Sequence, residues 1–262
     1  MKEQRCLRLP LRYYEIAERD LRILNPFGLA KLIRVGHVAR LRKGMCILDL
    51  ACGKGEMLCQ WVRRFGVTGV GVDLSKVFLE AARSRAGELS VEDSVQFIEG
   101  DAGKYEIPPS SYDVISCIGA TWIRGDLDGT LRFMRPGLKE KGLLIVGEPF
   151  WRKVPLPEEY KRTLTEDDLR MNFRDLASTL RRIEDNGMEP IGMILASEDD
   201  WDRYETAHWR NVEQWTSTNS EDPDAREFQA TMRREREIYL RWERTYMGWG
   251  VFISKQKTCG SE

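Results

Sequence analysis

Between residues 47 and 146, short unbroken apolar runs alternate with stretches of helical period, and few folds can accommodate that pattern. The runs are Ile47–Leu50, Val67–Val72, Val95–Ile98, Val114–Ile118 and Leu143–Val146. Runs without polar alternation predict strands buried on both faces. The helical periods near 55–65, 76–88 and 127–138 predict the helices that cover those faces. Together they predict an α/β fold with a doubly wound, largely parallel sheet. A length of 262 residues suits one domain, and a hydrophobic fraction of 42% is enough for a sizeable core.

The flanks read differently. The first 45 residues are polar and helical in pattern, with Tyr13, Tyr14, Ile16 and Ala17 able to share a face. Asn25-Pro26-Phe27-Gly28 breaks that pattern, and a second helix is expected from Leu29 to Leu41. Beyond residue 147, Pro149, Pro155 and Pro157 predict a loop. A single helix is expected over Leu164–Asn186, with Thr165 as N-cap, Asp168 three residues on and Gly187 as the stop. Pro190–Leu195 and Val251–Ser254 read as two further strands. The stretch between them is mostly helical and rich in Trp and Tyr, with 216–224 as its most loop-like tract.

Charge and cysteine content narrow the function. Lys and Arg total 41 against 42 Asp and Glu, so there is no basic excess for gripping a nucleic-acid backbone. No run approaches the roughly 20 apolar residues of a membrane span. The opening MKEQRCLRLPLRYYE has no apolar core of a secretory signal, so a cytoplasmic protein is expected. The cysteines at 6, 46, 52, 59, 117 and 259 form no C-x-x-C pair, which argues against zinc or thiol redox chemistry, and no metal is expected.

The most informative stretch is ILDLACGKGE at 47–56. A strand ends in Asp49, a loop with Gly53 and Gly55 follows, and a helix begins. The glycines let a ligand approach the backbone, and the helix start offers free N–H groups. A nicotinamide dinucleotide site needs G-x-G-x-x-G, but the third position is Leu58. A carboxylate ahead of the loop suits a ligand with a cationic end better than a pyrophosphate. Asp73, 20 residues beyond Gly53, ends the second run and can hold ribose hydroxyls. Asp101-Ala102 ends the third and can take an exocyclic amine beside a flat base. In an open α/β sheet these ends converge on one crevice.

These residues resemble the class I S-adenosylmethionine-dependent methyltransferases. The family loop D-x-G-x-G-x-G is met by Asp49-Leu50-Ala51-Cys52-Gly53-Lys54-Gly55, with Ala51 at the first glycine position. The resemblance extends to a small-molecule-type branch through Asn25-Pro26-Phe27, Gly119–Ile123, Gly147–Trp151, Trp201–Glu205 and Gly248–Phe252. It implies a Rossmann-like, seven-stranded sheet in a single domain spanning 1–262. Residues 1–42 would be a helical lid and 43–198 the sheet core. A helical cap, 199–247, would be inserted before the last strand and tail, 248–262. It also implies S-adenosyl-L-methionine as methyl donor and S-adenosyl-L-homocysteine as product. The implied cofactor contacts are Asp49, Ala51, Cys52, Gly53, Gly55, Asp73, Leu74, Asp101, Ala102, Cys117 and Gly119.

Methyl transfer is an in-line displacement, so alignment matters most, and a base is needed only for a protonated acceptor. Glu148, His208 and Tyr14 are the candidate catalytic residues, and Trp122, Trp151, Tyr204, Trp209 and Tyr246 the candidate acceptor contacts. The expected acceptor is a small molecule. Ser-Cys-Ile-Gly-Ala-Thr at 116–121 lacks the (D/N/S)-P-P-(Y/F) tetrad of nucleobase amino-methylating relatives, so no nucleic-acid partner is expected. A protein or RNA acceptor, a nucleotide-dependent oxidoreductase and a non-catalytic cofactor-binding module are the alternatives. The sequence leaves the oligomeric state open.

Overall fold

A computed structural model of the chain describes residues 10–257. The reading of the N-terminal residues 1–9, and of Cys6 and Cys259, lies outside the described residues. The strands are β1 (Cys46–Leu50), β2 (Thr68–Asp73), β3 (Val95–Glu99), β4 (Tyr112–Ile118), β5 (Leu138–Trp151), β6 (Met188–Leu195) and β7 (Met247–Gln256). They form one sheet in the order β3-β2-β1-β4-β5-β7-β6. The first five run parallel, and β7 is antiparallel to both β5 and β6.

The apolar runs explain why both faces are covered. Successive strand side chains point to opposite faces. Ile47, Val114, Ile145 and Ile253 therefore pack on one side, under the helices Leu29–Val38 and Glu56–Phe65. Leu48, Ile115, Leu144 and Phe252 pack on the other, under Leu127–Met134 and Leu176–Asp185. A polar residue at any of these positions would lie inside one core or the other.

Three expectations need correction. Pro149, expected in a loop, lies within β5, because β7 goes on pairing with that strand as far as Trp151. The helix expected over Leu164–Asn186 is two helices, Glu166–Met171 and Leu176–Asp185. Asn172 takes a left-handed conformation that ends the first, and Asp175 accepts from the Ser178 amide at 3.0 Å to start the second. The Thr165–Asp168 capping box is present at the first helix's start. The last strand also begins earlier, at Met247, and extends to Gln256 because it pairs on both sides.

Between β6 and β7 the chain leaves the sheet as the helices Glu198–Thr218 and Ala225–Ile238. The second continues through a π-helical turn, Tyr239–Glu243, before entering β7. This cap does not stand alone. Tyr13, Ile16 and Ala17 of the N-terminal helix Leu11–Ala17 form a small core with Val212, Phe228 and Met232. Asn211 Nδ2 donates to the Ala17 carbonyl at 2.9 Å, and Tyr13 Oη donates to Glu235 at 2.9 Å. The N-terminal helix and the cap thus form one roof over the carboxyl ends of the strands.

Candidate active site

Under that roof lies a cavity of about 640 Å³, floored by the ends of β1, β2 and β4. Asp49, near the end of β1, is buried; Ser116 Oγ donates to it at 2.7 Å, and burial pushes its carboxyl up to about 7. Ala51 follows with φ +58°, a conformation usually reserved for glycine. Asp73 is fixed by two main-chain amides, Gly53 N–H at 2.8 Å and Ser75 N–H at 2.9 Å. Each oxygen uses one lone pair on an amide and keeps capacity for a ligand hydroxyl. Burial raises the Asp73 carboxyl, and those two amides oppose the shift. Asp101 is more open; it accepts from the Gly103 amide at 3.0 Å and pairs with Lys104 at 3.1 Å. Gly119 has φ +81°, and a Cβ there would collide with the Asn25 side chain.

The roof is tied to this floor by one lysine. Lys54 Nζ donates to the carbonyls of Glu18, Arg19 and Leu21 at 2.7 to 2.8 Å. Those carbonyls follow the end of the N-terminal helix, where the helix dipole is negative. Ser75 Oγ adds a donation to Glu15 at 2.6 Å. The glycine loop and the roof are therefore positioned together.

Residues 47–142 match the family described as a methyltransferase domain. The chain is 38% identical over 241 residues to the uncharacterized protein YjhP of Escherichia coli, covering 92% of this chain and 96% of that protein. A SAM-dependent methyltransferase from Thiobacillus denitrificans, solved with S-adenosyl-L-homocysteine, superposes with TM-score 0.88 at 40% identity, over 95% of this chain and 99% of that one. Its counterpart from Geobacter sulfurreducens, also solved with S-adenosyl-L-homocysteine, gives 0.88 at 39%, over 96% and 100%. The chain belongs to the class I S-adenosylmethionine-dependent methyltransferases. It is an enzyme of that kind, with the seven-stranded sheet its sequence pattern predicts.

The methyltransferase cavity gathers many of the residues singled out from the sequence. Tyr14, Asp49, Ala51, Cys52, Gly53, Asp73, Leu74, Asp101, Ala102, Gly119, Trp122 and Tyr204 all line it. Gly55 and Cys117 do not. Gly55 caps the helix Glu56–Phe65, and Cys117 is buried in β4.

Glu148, His208, Trp151, Trp209 and Tyr246 are also off the wall, each for a local reason. Pro149 reaches the cavity, so strand alternation turns Glu148 to the other face. There it is buried beside Thr121, whose hydroxyl donates to it, while its Oε1 has no hydrogen-bond partner. Burial pushes its carboxyl up to about 8. His208 lies one helical turn beyond Tyr204, with the two ring centroids 4.3 Å apart. Trp151 continues past the cavity to pack edge-on against Tyr160 and Phe173, each at 5.9 Å. Tyr246 packs with Tyr160 at 6.1 Å, and Trp209 with Tyr239 at 5.9 Å. Trp209 thus packs inside the cap, while Trp151 and Tyr246 meet at Tyr160 of the short helix Glu158–Lys161.

The wall also carries residues that sequence reasoning passed over. Phe27, Trp201, Trp249 and Val251 form an apolar end beside Gly119 and Pro149. Phe27 and Trp249 meet edge-on at 5.3 Å. Phe27, Trp201 and Trp249 fall in segments that carried the family resemblance, which was the available signal. Glu18 is buried on the wall with no sequence signal at all.

Proposed function

We propose that the enzyme methylates a small molecule, with the donor lying along the ends of β1, β2 and β3 and the acceptor at the aromatic end of the cavity. The single observation that carries this reading is the roofed cavity, whose acidic and aromatic ends are distinct. Asp49 suits the ammonium of the donor's methionine end, because a buried carboxylate with one hydrogen bond gains most from a cationic partner. Asp73 suits the ribose hydroxyls, and Asp101 with Ala102 suits the adenine amine and its flat ring. The bound donor supplies an already activated methyl group on a sulfonium.

Gly119, Pro149, Phe27, Trp201 and Trp249 frame the acceptor end. Their work is to align the acceptor atom and exclude water, a contribution of about 7–11 kcal/mol when the geometry is good. Trp122 and Tyr14 border the cavity where it meets solvent, being about two-fifths exposed (41% and 37%). A folded protein or an RNA helix is a poor fit to a site roofed by the N-terminal helix and the cap.

The test is a panel of small amines, phenols, thiols and carboxylates, run beside protein and RNA preparations, with S-adenosylhomocysteine formation as readout. The expected result is turnover with a member of the small-molecule panel alone. Turnover confined to protein or RNA would replace this reading.

A further inference from the structure

The carboxylates on the cavity wall are Glu18, Asp49, Glu56, Asp73 and Asp101. Glu56 is taken by Arg85, at 2.7 Å. Asp49, Asp73 and Asp101 are held from the floor by Ser116 Oγ and by main-chain amides. Glu18 alone among these is reached from the roof. Tyr204 Oη donates to its Oε1 at 2.7 Å, and His208 Nε2 stands 3.7 Å from the same oxygen. The Glu18 carbonyl is anchored by Lys54, which fixes the residue relative to the glycine loop.

His208 is set up to carry charge. From the N-terminal segment it is faced by Glu18, from its own helix by Glu205, and from the helix Ala225–Ile238 by Glu235. Burial opposes a charge on His208, and these three carboxylates outweigh it, so its affinity for a proton is raised. Burial likewise pushes Glu205 up to about 7, with His208 opposing the shift. Glu235 is raised by burial and accepts from Tyr13. The roof therefore holds one imidazole among three carboxyl groups, and this cluster opens onto the cavity at Glu18.

We propose that Glu18 is the catalytic base of this methyltransferase, with Tyr204 and His208 as its positioning residues, and that the acceptor atom carries a transferable hydrogen. This rests on the reading of the cavity given under Proposed function. The acceptor is then an amine, a hydroxyl compound or a thiol. Its atom bonds the methyl carbon as the carbon–sulfur bond breaks, the bond pair staying on sulfur and neutralising the sulfonium. The acceptor's proton passes to the Glu18 carboxylate and is shared with His208 before it reaches water.

The test needs no known acceptor. S-adenosylmethionine carries a positive charge at the reacting centre that S-adenosylhomocysteine lacks. A positive charge in the cavity beside Glu18 offsets that carboxylate's pull on the His208 proton, so donor binding releases more protons than product binding. Calorimetry of both ligands near neutral pH, in two buffers of different ionisation enthalpy, counts those protons. The full-length wild-type chain is expected to show the excess, and Glu18→Gln to lose it. His208→Asn, which alters a residue off the wall, is expected to reduce it too, with thermal unfolding confirming that both variants fold. Equal proton counts for the two ligands in the wild type, or an excess unchanged in Glu18→Gln, would overturn the proposal. So would a methylated product whose acceptor atom bore no hydrogen. Failure of either ligand to bind would instead remove the cavity reading beneath it.

Discussion

Ala51 sits at φ +58°, where a non-glycine residue costs about 1–2 kcal/mol. Ala51→Gly should therefore raise stability in urea by up to about 1 kcal/mol, after the greater chain entropy of glycine is subtracted. A loss of about 1 kcal/mol, typical of Ala→Gly in ordinary backbone, would show that the loop is relaxed with alanine. Glu148 offers a pH test. Burial raises its carboxyl to about 8, so the folded state favours the protonated form. That stabilisation is complete below the ordinary carboxylate range and is lost as pH rises through about 8. Glu148→Gln mimics the protonated form, so melting temperatures of wild type and variant should diverge as pH rises from the ordinary carboxylate range to about 8, the variant being the more stable, and run parallel above that. Curves parallel throughout would mean that Glu148 has a partner compensating its charge. The legibility of residues follows the same lines. Asp49, Asp73 and Asp101 were readable because each ends a strand, and strand ends in this topology meet. Glu18 was not, because its hydrogen-bond partner Tyr204 lies 186 positions away.

At the scale of elements, periodicity was a good guide wherever one face or two faces of an element meet a core. β1 through β4 and the helices between them follow the sequence pattern closely, whereas β5 extends past its apolar run at both ends. The stretch 164–186 misled because its apolar spacing continues through Asn172, whose left-handed turn is a local choice stabilised by the cap at Asp175. The aromatic residues of the cap misled for a different reason. Helical spacing says that they share faces, but not which faces look at the cavity and which at another helix. Trp201 and Tyr204 look at the cavity, whereas Trp209 packs on Tyr239 inside the cap and Tyr246 on Tyr160 outside it. Lys54 gives the element-scale prediction. Its ammonium joins the glycine loop to the roof through three carbonyls, and charged hydrogen bonds contribute about 1.5–3 kcal/mol each when buried. Lys54→Met should speed amide hydrogen exchange across residues 10–24 while β1, β4 and β5 keep their protection. Uniform acceleration would mean that the roof and the sheet open together.

For the whole molecule, the one roof over the sheet is built from two pieces of different origin. The N-terminal helix is Leu11–Ala17, and the cap is the chain between β6 and β7. The small core formed by Tyr13, Ile16, Val212 and Phe228 joins them. Because the roof is built from both, a truncation at either place would open the cavity. Among the described residues no helix is long and apolar enough to cross a membrane. On the proposed reading, the acidic end of the cavity binds the methyl donor. Titration calorimetry with S-adenosylmethionine and S-adenosylhomocysteine tests it most directly, with Asp73→Ala as the control. The prediction is saturable binding of both ligands, weakened at least tenfold in Asp73→Ala, about 1.4 kcal/mol. Absence of binding by either ligand, or affinity unchanged in Asp73→Ala, would contradict it.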